Sequence, residues 1–560
     1  MRPESSLPRR WSGIISAAPF FVAAVGVLVI VVQWAHARPL WLDEEMIALN
    51  IRDRSFTGLI GALWLDQSAP LGWVLLQRLV LVTFGTSELA MRAVPALFGV
   101  GTIVGALYVG RRWMTPAGSS VLVLLCSFGQ WVTFHALELK SYSADTFFGL
   151  MLPALTVSVA DVSYERGRRA IAIWFVAAAL AHWFSLGALL VLPACAAVVG
   201  LSLRHKRDMI PIVAAGAVLV AASVAAHYLL SIRYALGNEW LRAQWQFALP
   251  PREAGLGGTL WWGSQQLGPF ALKPGGTALA LPFWLAACVG FAAASNRALG
   301  LVAASVVASG FLFAMLRIVP LYERLSMWFV AAAYLGIALC TDTAVRLARE
   351  TPLRSRASSV AIAGALAVVV IAICFNVVDR GIFDLRNGRP VDSNRGTNDR
   401  NAVRWLNLQR EPGMVLLTTQ NSLPGIWWYG GKSIADQRAG YFSDGAPMLV
   451  LEHQEPGRKC HGRPLDKAID GLSSVLVYLG FPDRPQGFDD ALLSRLTKTG
   501  TVVALEHFGG DGRAAVVDLT FAVGNNPIWR GTSHDLFWRD AAGDREKLKG
   551  CIAVFQGRVW

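Results

Sequence analysis

Charge is scarce in this chain of 560 residues: Asp, Glu, Lys and Arg together make up 16%, where an ordinary soluble domain carries about 25%. Hydrophobic residues reach 54%. That balance excludes a soluble globular enzyme and points to a polytopic α-helical membrane protein. Cysteine is sparse as well. Seven residues cannot form a disulfide framework for a chain this size, and Cys126, Cys195, Cys288, Cys340 and Cys374 lie in apolar runs where a free thiol packs as a small hydrophobe. Only Cys460 and Cys551 lie elsewhere, and a bond between them is an open alternative. There is no Asp-x-Asp triplet of the metal-using, nucleotide-sugar type, no His/Cys cluster with zinc spacing, no fixed-period repeat and no low-complexity tract. The basic excess, net +13, falls in short clusters between apolar runs. It reads as a topology signal, not as a nucleic-acid face.

A spanning helix needs about 20 mostly apolar residues. Qualifying runs lie near 13–34, 93–110, 118–135, 143–160, 170–181, 186–203, 210–230, 277–293, 298–316, 326–345 and 358–378, which gives about eleven spans. The run at 170–181 needs residues through His182 and Phe184 to cross. Ala69 to Gly85 is apolar but shorter and carries Arg78 at its middle, so it is expected as an amphipathic helix in the interface. With the N-terminus inside, Arg2, Arg9 and Arg10, then Arg111 and Arg112, then Arg166, Arg168 and Arg169, then Arg204, Lys206 and Arg207, then Arg297, then Arg346, Arg349, Arg354 and Arg356 all fall in short inner connectors. The positive-inside rule is then met. Arg9, Arg10 and the Ala35-His36-Ala37 triplet imitate a secretory signal, but the run between them is longer than the 7–15 apolar residues of such signals, so an uncleaved first span is expected.

An odd number of spans puts everything after Phe375 outside. From Asp379 to Trp560 the composition becomes that of a soluble domain. Asp379 to Asp399 reads as a linker. Helix-like DRNAVRWLNLQ, strand-like MVLLTTQ, SSVLVYLG, TVVALEHF and AAVVDLTF, and helix-like DDALLSRLTK then predict a small α/β domain. The expected division is 1–378, with a first outer loop at 35–92, and 379–560.

Ionisable residues gather at the outer helix ends, and none falls at a midplane. The first loop carries WLDEE, with Asp43, Glu44 and Glu45, and later Asp66, Glu88 and Arg92. The mouth between the third and fourth spans has His135, Glu138, Lys140 and Tyr142; the next has His182; a later one has Arg317, Tyr322, Glu323 and Arg324. A carboxylate with several cations at an outer face suits sugar transfer from a polyprenyl phosphate. The carboxylate takes the acceptor hydroxyl's proton, and cations hold the leaving phosphate. Each residue also has a plainer reading. Asp43 would cap the helix MIALNI. Lys140 and Tyr142 would snorkel and anchor at the interface. Arg92 would pair with Glu88 four residues earlier. His135 and His182 would be satisfied helix-end histidines. Trp240, Trp245, Trp261 and Trp262 read as an interfacial belt. The segment GIWWYGGKS at 425–433 approaches a phosphate-binding loop with one residue too many before Lys432.

WLDEE just after the first span resembles the Asp-Glu motif of the membrane-embedded type C (GT-C) glycosyltransferases. The chain is similar to their bacterial branch related to aminoarabinose transferase and protein O-mannosyltransferases, glycosyltransferase family 39. SAPLGWVLLQRL at 68–79 resembles the family's Pro-containing interfacial helix, ELAMRAVPALFG at 88–99 its helix-opening Arg segment, and ELKSYSADTF at 138–147 its basic-x-Tyr segment. The last departs from the frequent Arg-Pro-Tyr form, since Lys140-Ser141-Tyr142 lacks the proline. The resemblance implies Asp43 as catalytic base and Glu44 as a neighbour that binds acceptor or raises that basicity. It implies donor-phosphate contacts from Lys140 and Tyr142, with Arg92, Arg317, Arg324, His135 and Glu138 as further candidates. No cofactor is required; a divalent ion between Asp43 and Glu44 stays open.

The expectation is therefore an inner-membrane enzyme of the bacterial envelope with a cytoplasmic N-terminus and a periplasmic C-terminal domain. It would move one hexosyl or pentosyl unit, with inversion, from a polyprenyl-phosphate donor to an envelope glycolipid such as lipopolysaccharide, or to a glycan. Its partners are that donor, the acceptor and the lipid bilayer, and no nucleic acid. The alternatives are a glycan polymerase or ligase using a lipid pyrophosphate, a secondary transporter, and a sensor with the outer domain as receptor.

Overall fold

The computed structural model describes residues 9–161, 164–350, 356–387, 396–432, 448–453, 463–481, 488–520 and 552–554. The chain divides into two compact units: Met1–Ala37 with Phe56–Val391, and Arg38–Ser55 with Asp392–Trp560. The division expected at 378/379 falls later. The acidic stretch of the first loop belongs to the second unit, while the residues that flank it in sequence belong to the first.

The first unit is helical. Its early helices are α1 (Arg9–Ala35), then, after α2 (Leu42–Asp53) of the second unit, α3 (Leu71–Phe84), α4 (Glu88–Trp113), α5 (Pro116–Phe128), α6 (Gln130–His135), α7 (Tyr142–Asp161), α8 (Tyr164–Ala181), α9 (Leu186–Leu203) and α10 (Ile210–His227). Later helices span Ala280–Ala293, Arg297–Met315, Met327–Glu350 and Arg356–Asn387. Among the described residues eight helices are long and apolar enough to cross a membrane. The remaining three of the eleven expected runs are also helical, but α5 and Ala280–Ala293 are short and α8 carries Glu165, Arg166, Arg168 and Arg169 in its first turns. The run expected as one span over 118–135 breaks at Gly129. A Cβ there would lie 2.6 Å from both the Leu125 carbonyl and the Tyr334 hydroxyl, so only glycine lets the chain turn from α5 into α6. Asp379 does not open a linker as expected: the last long helix runs on to Asn387 because nothing between Asp379 and Arg386 breaks it.

Met327–Glu350 is the central helix, with 89% of its spanning window buried. Backbones approach closely around it, as small residues allow where lipid supplies no hydrophobic drive between helices. A Cβ on Gly290 would meet the Gly336 carbonyl at 1.8 Å, and one on Gly149 would meet the Trp328 carbonyl at 2.0 Å.

The second unit holds a seven-stranded sheet of β1 (Val415–Thr419), β2 (Met448–His453), β3 (Arg463–Pro464), β4 (Ser474–Leu479), β5 (Thr501–Phe508), β6 (Gly512–Asp518) and β7 (Ile552–Val554), in the order β3-β7-β2-β1-β4-β6-β5. The three middle strands, β2, β1 and β4, run parallel, and the outer pairings are antiparallel. Every residue of β1 is buried, as strands covered on both faces require. Helices Asp399–Gln409 and Phe488–Thr499 occupy the segments expected for them. Cys460 and Cys551, and any bond between them, lie outside the described residues.

The close contact of Gly290 with Gly336 yields a packing prediction. Gly290→Val should destabilise the full-length protein by about 1–3 kcal/mol through overpacking. Gly364→Val, with nothing within 4 Å of its new Cβ, should not. Thermal midpoints in detergent measure both, and equal midpoints would refute the close packing.

Candidate active site

The three acids of WLDEE have different fates in the second unit. Helix α2 starts at Leu42 after an extended Trp41. The Glu44 carboxylate reaches back and accepts the Trp41 backbone N–H at 3.2 Å, satisfying a donor that the first turn leaves over. The capping expected of Asp43 thus falls to Glu44, because Asp43 already lies inside the helix. Glu45 points into the unit and is 1% exposed. It interacts there with Asp399, whose own carboxylate accepts the buried Tyr478 hydroxyl. Burial pushes the Asp399 carboxyl up to about 6. Burial, then the Asp399 and Glu44 charges, hold Glu45 well above the usual carboxylate range, so the pair keeps a proton to higher pH than free carboxyls do. Asp43 alone of the three is half-exposed.

The rest of the unit holds α2 in place. Arg52 donates to the Trp427 and Trp428 carbonyls, each at 3.2 Å, and to the Lys432 carbonyl at 2.5 Å, capping the C-terminal end of helix Leu423–Tyr429. The Tyr429 hydroxyl accepts the Leu40 N–H at 2.7 Å. The near-miss phosphate loop at 425–433 is therefore the packing partner of α2.

In the first unit the turn after α6 collects His135, Glu138, Lys140 and Tyr142. The buried Glu138 carboxylate pairs with His135 Nδ1. The His135 ring lies 4.9 Å from Tyr142, edge to face, and 5.3 Å from Trp131. Tyr142 opens α7 without the missing proline: the Ser141 carbonyl accepts the Asp145 N–H at 3.0 Å and starts the helix unaided. Lys140 is buried and donates to Gln67 Oε1 at 2.6 Å. The Lys273 ammonium sits 5.7 Å over the Trp131 indole and pairs with Glu323 at 3.0 Å. Lys273, Glu323, Tyr322, Phe270, Leu272 and Leu321 are among the residues that line a cavity of about 460 Å³. Arg324 lies 5.5 Å over Trp245. Arg317 is tied to the Pro250 carbonyl, and Arg92 is buried in α4, in neither the Lys140 turn nor the cavity lining. Sequence reasoning missed Gln67 and Lys273. Lys273 had a signal, the single lysine of a long outer loop, whereas Gln67 had none, because its partner lies 73 positions away. No group of His, Cys, Asp and Glu fit to hold a metal occurs among the described residues.

No family model and no curated protein matches the sequence. Solved structures do. The structure of ArnT from Cupriavidus metallidurans bound to undecaprenyl phosphate aligns at TM-score 0.51 and 13% identity, covering 90% of this chain and 99% of that one. The apo form aligns at 0.50 and 13% over 89% and 97%. This chain has an ArnT-like fold. Mycobacterial arabinofuranosyltransferase AftD also aligns, at TM-score 0.46 and 14% identity, over 93% of this chain and 40% of that one. The ArnT-like fold is a polytopic membrane fold, as expected from hydropathy.

The Glu45–Asp399 pair sets a pH dependence. Both carboxyls titrate near 4 when unfolded and higher when folded, so the folded unit binds the extra proton and stability falls as pH rises through that window. Glu45→Gln, neutral at every pH, should flatten the fall and raise the thermal midpoint above about pH 6. Scans of the full-length protein between about pH 5 and 8 test this; an unaltered profile would place the shared proton elsewhere.

Proposed function

We propose that this protein is an inner-membrane glycosyltransferase that moves a single sugar from a polyprenyl-phosphate carrier to an envelope glycolipid or glycan at the periplasmic face. The observation that carries the proposal is the ArnT-like fold over nearly the whole of both chains, in a structure that holds undecaprenyl phosphate. The different burial of the three acids supports it: Glu44 and Glu45 are buried, and Asp43 is half-buried.

In the proposed reaction an acceptor hydroxyl oxygen attacks the anomeric carbon and its proton passes to the Asp43 carboxylate. The bond from that carbon to the phosphate oxygen breaks, and the phosphate leaves with the electron pair. Single displacement inverts the anomeric centre. Lys140 and Tyr142 are the groups proposed to stabilise the leaving phosphate, with Lys273, Arg324, Arg317 and Arg92 as further candidates. The cavity lined by Lys273 also has Pro269, Phe270, Leu272 and Leu321 in its wall, which suits an isoprenoid chain next to a phosphate. In this proposal eleven helices span the membrane, the N-terminus is cytoplasmic and the sheet-bearing unit is periplasmic.

Asp43→Asn keeps the side chain's size and removes the base. Transfer should fall by about 10²–10⁴-fold. Mass spectrometry of envelope lipids from cells with and without the variant should show the modified species disappearing at normal protein level; an unchanged profile would take Asp43 out of the reaction.

A further inference from the structure

Lys140 is a buried cation whose bond to Gln67 spans two distant stretches of chain, so the placement of Gln67 helps to direct the ammonium. The Gln67 amide is held at both ends: Oε1 accepts from Lys140 at 2.6 Å and Nε2 donates to the Leu65 carbonyl at 3.2 Å. Turning the amide over would break both bonds, which fixes the oxygen toward the lysine. An amide oxygen orients an ammonium without cancelling its charge.

The backbone that carries Gln67 is strained. Leu65 and Asp66, immediately before it, take left-handed conformations at φ 61° and 52°, where side chains with a Cβ are disfavoured. Such strain persists only where surroundings impose it. Here the segment 61–71 is strapped along the end of α10 and its continuation. Gly61 N–H donates to the Leu230 carbonyl at 3.0 Å, within the π-helical turn Tyr228–Ile232. Asn238 Nδ2 donates to Asp66 Oδ1 at 2.8 Å, and Leu71 N–H donates to His227 Nε2 at 3.2 Å. Past the strap, Trp73 N–H donates to the Trp183 carbonyl, 2.7 Å from where a Cβ on Gly72 would stand.

His227 is itself set by a directed chain. Its Nε2 accepts from Leu71, so its proton is on Nδ1 and points to His182 Nδ1 at 3.0 Å. His182 then carries its proton on Nε2, which donates to Ser223 Oγ at 3.1 Å, and Ser223 donates to the Ala179 carbonyl at 2.7 Å. Both histidines are buried, and each donates once and accepts once.

We propose that Gln67 and His227 are positioning residues: the strap 61–71, clamped to α10 through His227, holds the Lys140 ammonium in the orientation that receives an anionic phosphate ester of a lipid. This inference rests on the donor-phosphate role given to Lys140. The test uses the full-length chain in nanodiscs, with undecaprenyl phosphate as probe and inorganic phosphate as a second arm. Lys140→Gln should weaken lipid-phosphate binding about tenfold or more. Gln67→Glu should weaken it about tenfold too, because the new carboxylate pairs with the ammonium, while the thermal midpoint stays the same or rises. A merely structural Gln67 would leave binding intact in that variant. Gln67→Leu combined with Lys140→Gln should bind no worse than Lys140→Gln alone. His227→Leu should weaken binding, and His227→Gln, whose oxygen can accept the Leu71 N–H, should restore part of it. Inorganic phosphate binding as tightly as the lipid would overturn the lipid as ligand. Wild-type affinity in Gln67→Glu, or effects that multiply in the double variant, would overturn the positioning role alone. Wild-type affinity in Lys140→Gln would instead remove Lys140 from the donor site and the strap's purpose with it, leaving Asp43 as base untouched.

Discussion

A charge taken out of water must be neutralised, paired or hydrogen-bonded, and this constraint shapes both units. The second unit buries two carboxylates of one short helix and meets the cost differently for each. Glu44 turns back to the helix start, where an unsatisfied N–H and the positive end of the helix dipole receive it. Glu45 lies against Asp399, and burial first, then their mutual repulsion, raises its affinity for a proton. The first unit treats cations likewise. Lys273 faces a carboxylate and an indole, Arg324 another indole, and Lys140 a fixed amide oxygen.

The two lysine contacts differ in kind. The Lys273 contact with Glu323 is an ion pair, which must part before the ammonium can serve another anion fully. The Lys140 contact with Gln67 is a bond to an amide oxygen, which directs the ammonium without an opposite charge at that contact.

Much of the fold was legible because it rests on local rules. The helix Asp399–Gln409 and the strand Thr501–Phe508 keep the limits that periodicity suggests. The amphipathic stretch with Arg78 forms the 14-residue helix α3. Failures came where a local rule met a distant contact. Gly129 interrupts an apolar run because Tyr334 from the central helix presses on it. β2 went unseen although Asp444-Gly445 and Pro456-Gly457 flank MLVLEH, because so short an apolar run takes its place beside β1 only in the assembled sheet. At the site, Asp43 was readable as one of three adjacent acids, but which of them are buried depends on Trp41 and Asp399, the latter more than 350 positions away. Gln67 was invisible for the same reason.

The grouping of Arg38–Ser55 with residues after Asp392 has a consequence for how the protein is made. The helix that bears Asp43 is among the first segments to leave the ribosome, yet the surfaces it packs on, from Asp399 to Phe481, are among the last. A nascent chain halted before them would hold most of its long apolar helices and still lack the partners of α2. With Asp43 in its proposed role, the base would be set only once the last segments had been made.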